Sequence, residues 1–131
     1  MIPMQYALRR RRLMSNMAKA KNIATGTING SGSNTLTISN LDFKPDHIML
    51  MANNSINTDN YARDIIAVYD NMSLSAFSGN SAAQYLPLAS LTFTNDGAVM
   101  TGDKYSYSTP SGSRTSTHKF RGTYSYVAWQ E

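Results

Sequence analysis

Residues 46–53, DHIMLMAN, and 64–70, DIIAVYD, decide the fold. Side chains alternate between the two faces of a strand, and a strand with one wet face carries apolar residues at every second position only. Here both sets are apolar. Ile48, Leu50 and Ala52 oppose Met49 and Met51 in the first stretch, and Ile66 and Val68 oppose Ile65, Ala67 and Tyr69 in the second. These are expected to be inner strands of a sheet that is covered on both sides. The second cover is a neighbouring copy of the chain, an apolar stripe on the N-terminal arm, or a helix or loop of the same chain.

Working outward, strand grammar continues in both directions. NIATGTIN (22–29), the turn GSGSN (30–34) and TLTIS (35–39) are expected to form a hairpin with Leu36 and Ile38 inward and Thr35, Thr37 and Ser39 outward. LTFT (91–94), Asn95-Asp96-Gly97 and AVMTG (98–102) predict a second hairpin, with Gly97 supplying a positive φ. Residues 71–90 look mostly irregular, with room for one short strand or a helical turn. KYSYST (104–109), a loop PSGSRTST (110–117) and one long final strand over 118–131 complete the body. The expectation is an all-β chain: an antiparallel β-sandwich or jelly roll of seven to eight strands over residues 22–131. Heavy use of Ser, Thr, Asn and Gly suits short strands joined by polar turns.

Residues 1–21 differ in kind. After Pro3 the segment MQYALRRRRLMSNMAKA is free of Gly and Pro, and it predicts an α-helical arm with Tyr6, Leu13, Met17 and Ala20 near one face. A helix this short needs a surface to pack on. The charge follows the same division. Residues 1–22 hold six bases (Arg9, Arg10, Arg11, Arg12, Lys19, Lys21) and no acid, whereas residues 23–131 hold six bases and eight acids, a net charge of −2. No apolar run follows the arginines, which argues against a secretory or twin-arginine signal, and no stretch approaches the ~20 apolar residues of a membrane span. A soluble protein is expected.

Reactive chemistry is hard to find. There is no cysteine. His47 and His118 stand in separate strands without ligand spacing, the serines lack a nucleophile-elbow motif, and the carboxylates sit at turns and strand ends. GSGSN lacks the Gly-Lys-Ser/Thr ending of a phosphate loop. No catalytic residue, metal site or cofactor is expected. Arg9 to Arg12, with Tyr6, Leu13 and Met17, suit docking onto carboxylates of a partner protein; nucleic acid or anionic lipid, and a plain solvated helix face, are the alternatives. The negative body and the lack of interleaved aromatics argue against nucleic acid. Tyr105, Tyr107, Tyr124, Tyr126 and Trp129 could build a saccharide-binding or interface face, or could simply fill a sheet surface or core.

The opening ATGTINGSGSNTLTISNLDFKPDHIMLMA (24–52) and the closing KFRGTYSYVAWQE (119–131) resemble the small β-sandwich modules of bacteriophage and prophage virions. The start IPMQYALRRRRLM (2–14) resembles short structural proteins of phages infecting Gram-positive bacteria. The resemblance covers both ends of the body and little of its middle. It implies a non-enzymatic virion component, made in the host cytoplasm. It would be a tail fibre, baseplate or tail-tip part, often trimeric, contacting other virion proteins. A carbohydrate-binding receptor module, meeting a host cell-surface saccharide, and a capsid decoration protein are the alternatives. The resemblance carries over no binding site residue by residue.

Overall fold

The computed structural model describes residues 21–53, 63–75 and 84–131. The expected helical arm, with Arg9 to Arg12, Tyr6, Leu13 and Met17, lies outside the described residues. Among the described residues there are eleven strands and no helix: β1 (Asn22–Asn29), β2 (Thr35–Ile38), β3 (His47–Ala52), β4 (Ile65–Tyr69), β5 (Met72–Ser75), β6 (Gln84–Pro87), β7 (Ser90–Thr94), β8 (Gly97–Thr101), β9 (Lys104–Thr109), β10 (Gly112–Thr117) and β11 (Thr123–Gln130). They form a six-stranded sheet in the order β1-β11-β3-β4-β5-β6, a three-stranded sheet β2-β8-β7 and a two-stranded ribbon β10-β9. Every strand pairing is antiparallel; a single parallel bridge, Asp64 to Lys119, lies outside the strands.

The two larger sheets share one core, which makes the fold β-sandwich-like. Leu36, Ile38 and Met100 from the small sheet meet Ile48, Leu50, Val68, Tyr124 and Ala128 from the large one, with Phe120 between. Each such aliphatic or aromatic side chain contributes about 1.5–3 kcal/mol on burial. Leu36 and Ile38 point inward as the alternation predicts, and the β7–β8 hairpin forms around Asn95 and Asp96.

The expected hairpin of residues 22–39 does not form. β1 pairs with β11, and β2 pairs with β8 in the other sheet. Its turn is an arch, because the backbone N–H groups of Gly30 and Gly32 are taken by Gly122 O and Phe120 O rather than by the opposite arm. Residues 71–90, expected to be irregular, supply β5 and β6. The turn between β4 and β5 is made by Asp70, in the left-handed region at φ 51°, with Asn71, so no glycine marks it. The expected loop 110–117 is mostly β10, and the last strand begins only at Thr123.

β4 also departs from strict alternation. Ile65 faces Ser75 and Ala67 faces Leu74, so Ile66 is an extra residue in a bulge. Ile65 and Val68 consequently both reach the shared core, while Ile66, Ala67 and Tyr69 join the cluster on the other side of the sheet.

Gly97 has no positive φ; its task is room. A Cβ there would collide with the Ile38 carbonyl oxygen. The closeness follows from Asp96, whose carbonyl and carboxylate accept the N–H groups of Leu41 and Asn40 and pull the end of β2 onto the β7–β8 turn. Gly97→Ala is therefore expected to cost about 3 kcal/mol, as overpacking against backbone does. Gly32→Ala, at φ 78° in open space, should cost about 1 kcal/mol for conformation alone. Urea denaturation of the two variants tests the order. A second expectation concerns Tyr124, whose hydroxyl donates to Ile65 O at 2.6 Å and accepts from Gly122 N at 3.3 Å. Burial, aided by the charge of Asp64, pushes this phenol up to about 12. Tyr124→Phe should lower stability by about 1–2 kcal/mol at neutral pH in the same measurement, because a buried carbonyl loses its donor.

Candidate functional site

The second face of the six-stranded sheet is where unspent surface lies. Register places its side chains in cross-strand rows. One row runs Thr25, Val127, Met49, Tyr69, Met72, Pro87, and the next runs Thr27, Ser125, Met51, Ala67, Leu74, Tyr85. A third, shorter row holds Ile23, Trp129 and His47. Adjacent members of a row stand one strand spacing apart, close enough to act as one surface. The first two rows contain no charged residue.

This face is partly closed and partly open. Ala67, Tyr69, Leu74 and Trp129 are buried and form a second apolar cluster, with Met49, Ile66, Tyr85 and Val127 packed on it. At its margin Met51 is 43% exposed and Ile23 50%. Between them Met49, Met51, Tyr69, Ser125 and Val127 line a shallow apolar groove of about 170 Å³. Methionine-lined grooves adapt readily to the shape of what they meet. The apolar second faces predicted for residues 46–53 and 64–70 thus exist, with the bulge reassigning Ile65 to the core.

One corner of the face is charged. His47 stacks on Trp129, centroids 5.0 Å apart and planes 19° apart. Its Nδ1 lies 3.0 Å from Asp70 Oδ2, and its Nε2 lies 3.1 Å from Glu131 Oε1 and 3.8 Å from Asp46 Oδ1. Asp70 is held by the Ile48 N–H at 2.9 Å, and the Glu131 N–H donates to the Asp46 carboxylate. Partial burial is the largest single influence on His47 and pulls its pKa down, but the hydrogen bond to Asp70 and the charges of Asp70, Glu131 and Asp46 together outweigh it, and the result lies above 6.5. Sequence reading passed over this corner, because its members come from positions 46, 47, 70, 129 and 131 and only long-range pairing joins them.

The five aromatics singled out in the sequence do not form one saccharide-binding face; three of them fill the two apolar clusters, as the alternative reading of a filled core had it. Tyr124 is buried in the shared core, edge-on to Phe120. Tyr126 also points inward, and its ring fills the space a side chain at Gly26 would need. Trp129 is buried on the opposite side of the sheet. Alternation rightly put Tyr124 and Tyr126 together, but it does not say which side of the sheet is the core. Tyr105 and Tyr107 lie apart from these on the ribbon, 5.9 Å from one another, with His118 4.7 Å from Tyr105 and the Arg63 guanidinium 4.8 Å over its ring.

His118 is buried, and its Nδ1 lies 3.0 Å from the Arg63 carbonyl, a contact that requires the proton on Nδ1. Burial lowers its pKa, so the ring is neutral. Nearby, Arg121 Nε lies 3.4 Å from buried Asp64 Oδ1. These groups tie residues 118–122 across the start of β4, and among the described residues no group of three or more His, Asp or Glu side chains is arranged to hold a metal ion.

Comparison of the chain with protein-family models, with curated proteins and with solved structures gave no match.

Proposed function

We propose that this chain is a non-enzymatic structural module of a bacteriophage particle. In this reading copies associate through the second face of the six-stranded sheet, and the basic arm of residues 1–21 anchors them to other virion proteins. The observation that carries the self-association is the charge-free groove lined by Met49, Met51 and Val127, with Met51 and Ile23 exposed beside it. Covering this groove and its exposed margin removes apolar area from water without stripping water from any charge, which is the composition that interface cores favour. A second copy of the same face suits this surface, since neither copy would bury an unpaired ion. The virion setting and the trimeric state rest on the resemblance of residues 24–52 and 119–131 to phage β-sandwich modules.

Size-exclusion chromatography with light scattering on the full chain is expected to give an oligomer. Met51→Asp should weaken self-association by at least about tenfold, since a carboxylate would be buried in the contact. Its circular dichroism and melting temperature should stay near those of the parent. A parent chain that stays monomeric at high micromolar concentration would remove the self-association reading. Separately, a chain starting at Asn22 should keep its fold and fail to enter particles; full incorporation would reject the anchoring role of the arm.

A further inference from the structure

We infer that His47 is a proton-operated fastener: as an imidazolium it ties Asp46, Asp70 and Glu131 together beside Trp129 of β11, and it lets go when the ring loses its proton. The inference concerns contacts within one copy and does not rest on the assembly reading.

The geometry carries it. Both ring nitrogens face a carboxylate oxygen: Nδ1 is hydrogen-bonded to Asp70 Oδ2 at 3.0 Å, and Nε2 has Glu131 Oε1 at 3.1 Å as an ion-pair contact. A neutral imidazole has one N–H and one lone pair, so in either tautomer one nitrogen would turn its lone pair on a carboxylate. Only the doubly protonated ring satisfies both. The third carboxylate, Asp46 at 3.8 Å, adds attraction for the same cation. The indole of Trp129 beneath the ring is a favourable seat for a positive charge.

The charged groups facing His47 come from three parts of the chain. Asp46 precedes β3, Asp70 is in the β4–β5 turn, and Glu131 follows β11; from β1 the corner receives only neutral Ile23, opposite Trp129. Among the described residues none of the three carboxylates is ion-paired with a lysine or arginine. Loss of the proton therefore leaves three like charges together around a neutral ring. Asp70 keeps the Ile48 N–H, and the backbone at residues 129–131 keeps its bonds to Asp46 and Lys21, so the Glu131 side chain is the part released.

The sign follows from linkage. The native pKa is raised above the ordinary 6.5, so the tie is fully made below about 6.5 and is lost as the pH climbs through the native value. Through that rise stability declines with pH, and the folding equilibrium constant falls in total roughly tenfold for each unit by which the native midpoint exceeds the unfolded one.

The test uses the chain's single tryptophan. A protonated imidazole stacked on an indole quenches its emission. Trp129 fluorescence of the full native chain, followed from pH 5 to 9 at a concentration low enough to hold the oligomeric state constant, is expected to rise in one step with a midpoint above 6.5. The step should vanish in His47→Gln. His118 lies against Tyr105 and has a lowered pKa, so it does not produce this step. Nitrogen-15 shifts of the His47 ring in the native chain give an independent reading, with both nitrogens protonated at pH 6. A flat emission curve, a midpoint at or below 6.5, or a single neutral tautomer at pH 6 would overturn the inference, even if His47→Gln failed to fold.

Discussion

β11 has a strand partner on each edge and apolar side chains on each face, and the rest of the molecule is arranged around that constraint. With β1 on one side and β3 on the other, its backbone hydrogen bonds are satisfied within the sheet. Tyr124 and Ala128 turn to the shared core, and Val127 and Trp129 turn to the second cluster. A strand wet on one face has its register fixed by hydrophobicity, since a slip of one residue moves the apolar set into water. β11 lacks that safeguard. Either set would be content on either face.

Polar groups supply the missing specification. The Tyr124 hydroxyl reaches the Ile65 carbonyl only in the observed register, and Trp129 finds His47 beside it only there. The N–H of Asp46 donates to Trp129 O, and the N–H of Glu131 returns to Asp46, so the far end of the strand is indexed as well. Dispersion and burial provide most of the stabilisation, while a few directional contacts select one pairing among several of similar hydrophobic worth.

How much of this was legible follows from whether the signal was local. The alternation in residues 35–38 and 47–52 is a property of short segments, and it gave correct faces. The hairpin at Asn95-Asp96 was legible for the same reason. The partners of β1 were not, because a polar glycine turn closes a hairpin or bridges two sheets depending on who takes its N–H groups, and those acceptors are at 120 and 122. β5 and β10 were missed because their Ser and Thr resemble loop composition, although Ser73 is buried and donates to the Leu86 carbonyl. The bulge at Ile66 leaves no mark in the alternation. Of the candidate sites, the apolar second face was visible at residues 49 and 51, but its charged corner joins residues 23 to 85 positions apart and the placing of Tyr124, Tyr126 and Trp129 depends on the distant partners of β11.

The charged corner also limits what the apolar face can do. A partner laid over the two charge-free rows gains apolar burial, but one extended over His47, Asp46, Asp70 and Glu131 would have to strip water from ions already arranged for one another. The contact area is thus bounded at one end, which favours a defined offset between partners over free sliding along the sheet. Long-range electrostatics act in the same sense. Residues 1–22 carry six positive charges and the remainder a net −2, so in the proposed assembly the leading segment of one copy would be attracted to the body of another, with a strength that falls as salt is added. In the proposed assembly, an apolar groove without direction, a charged corner that bounds it, and an N-terminal segment and body of opposite sign would let charge set the geometry and burial set the affinity.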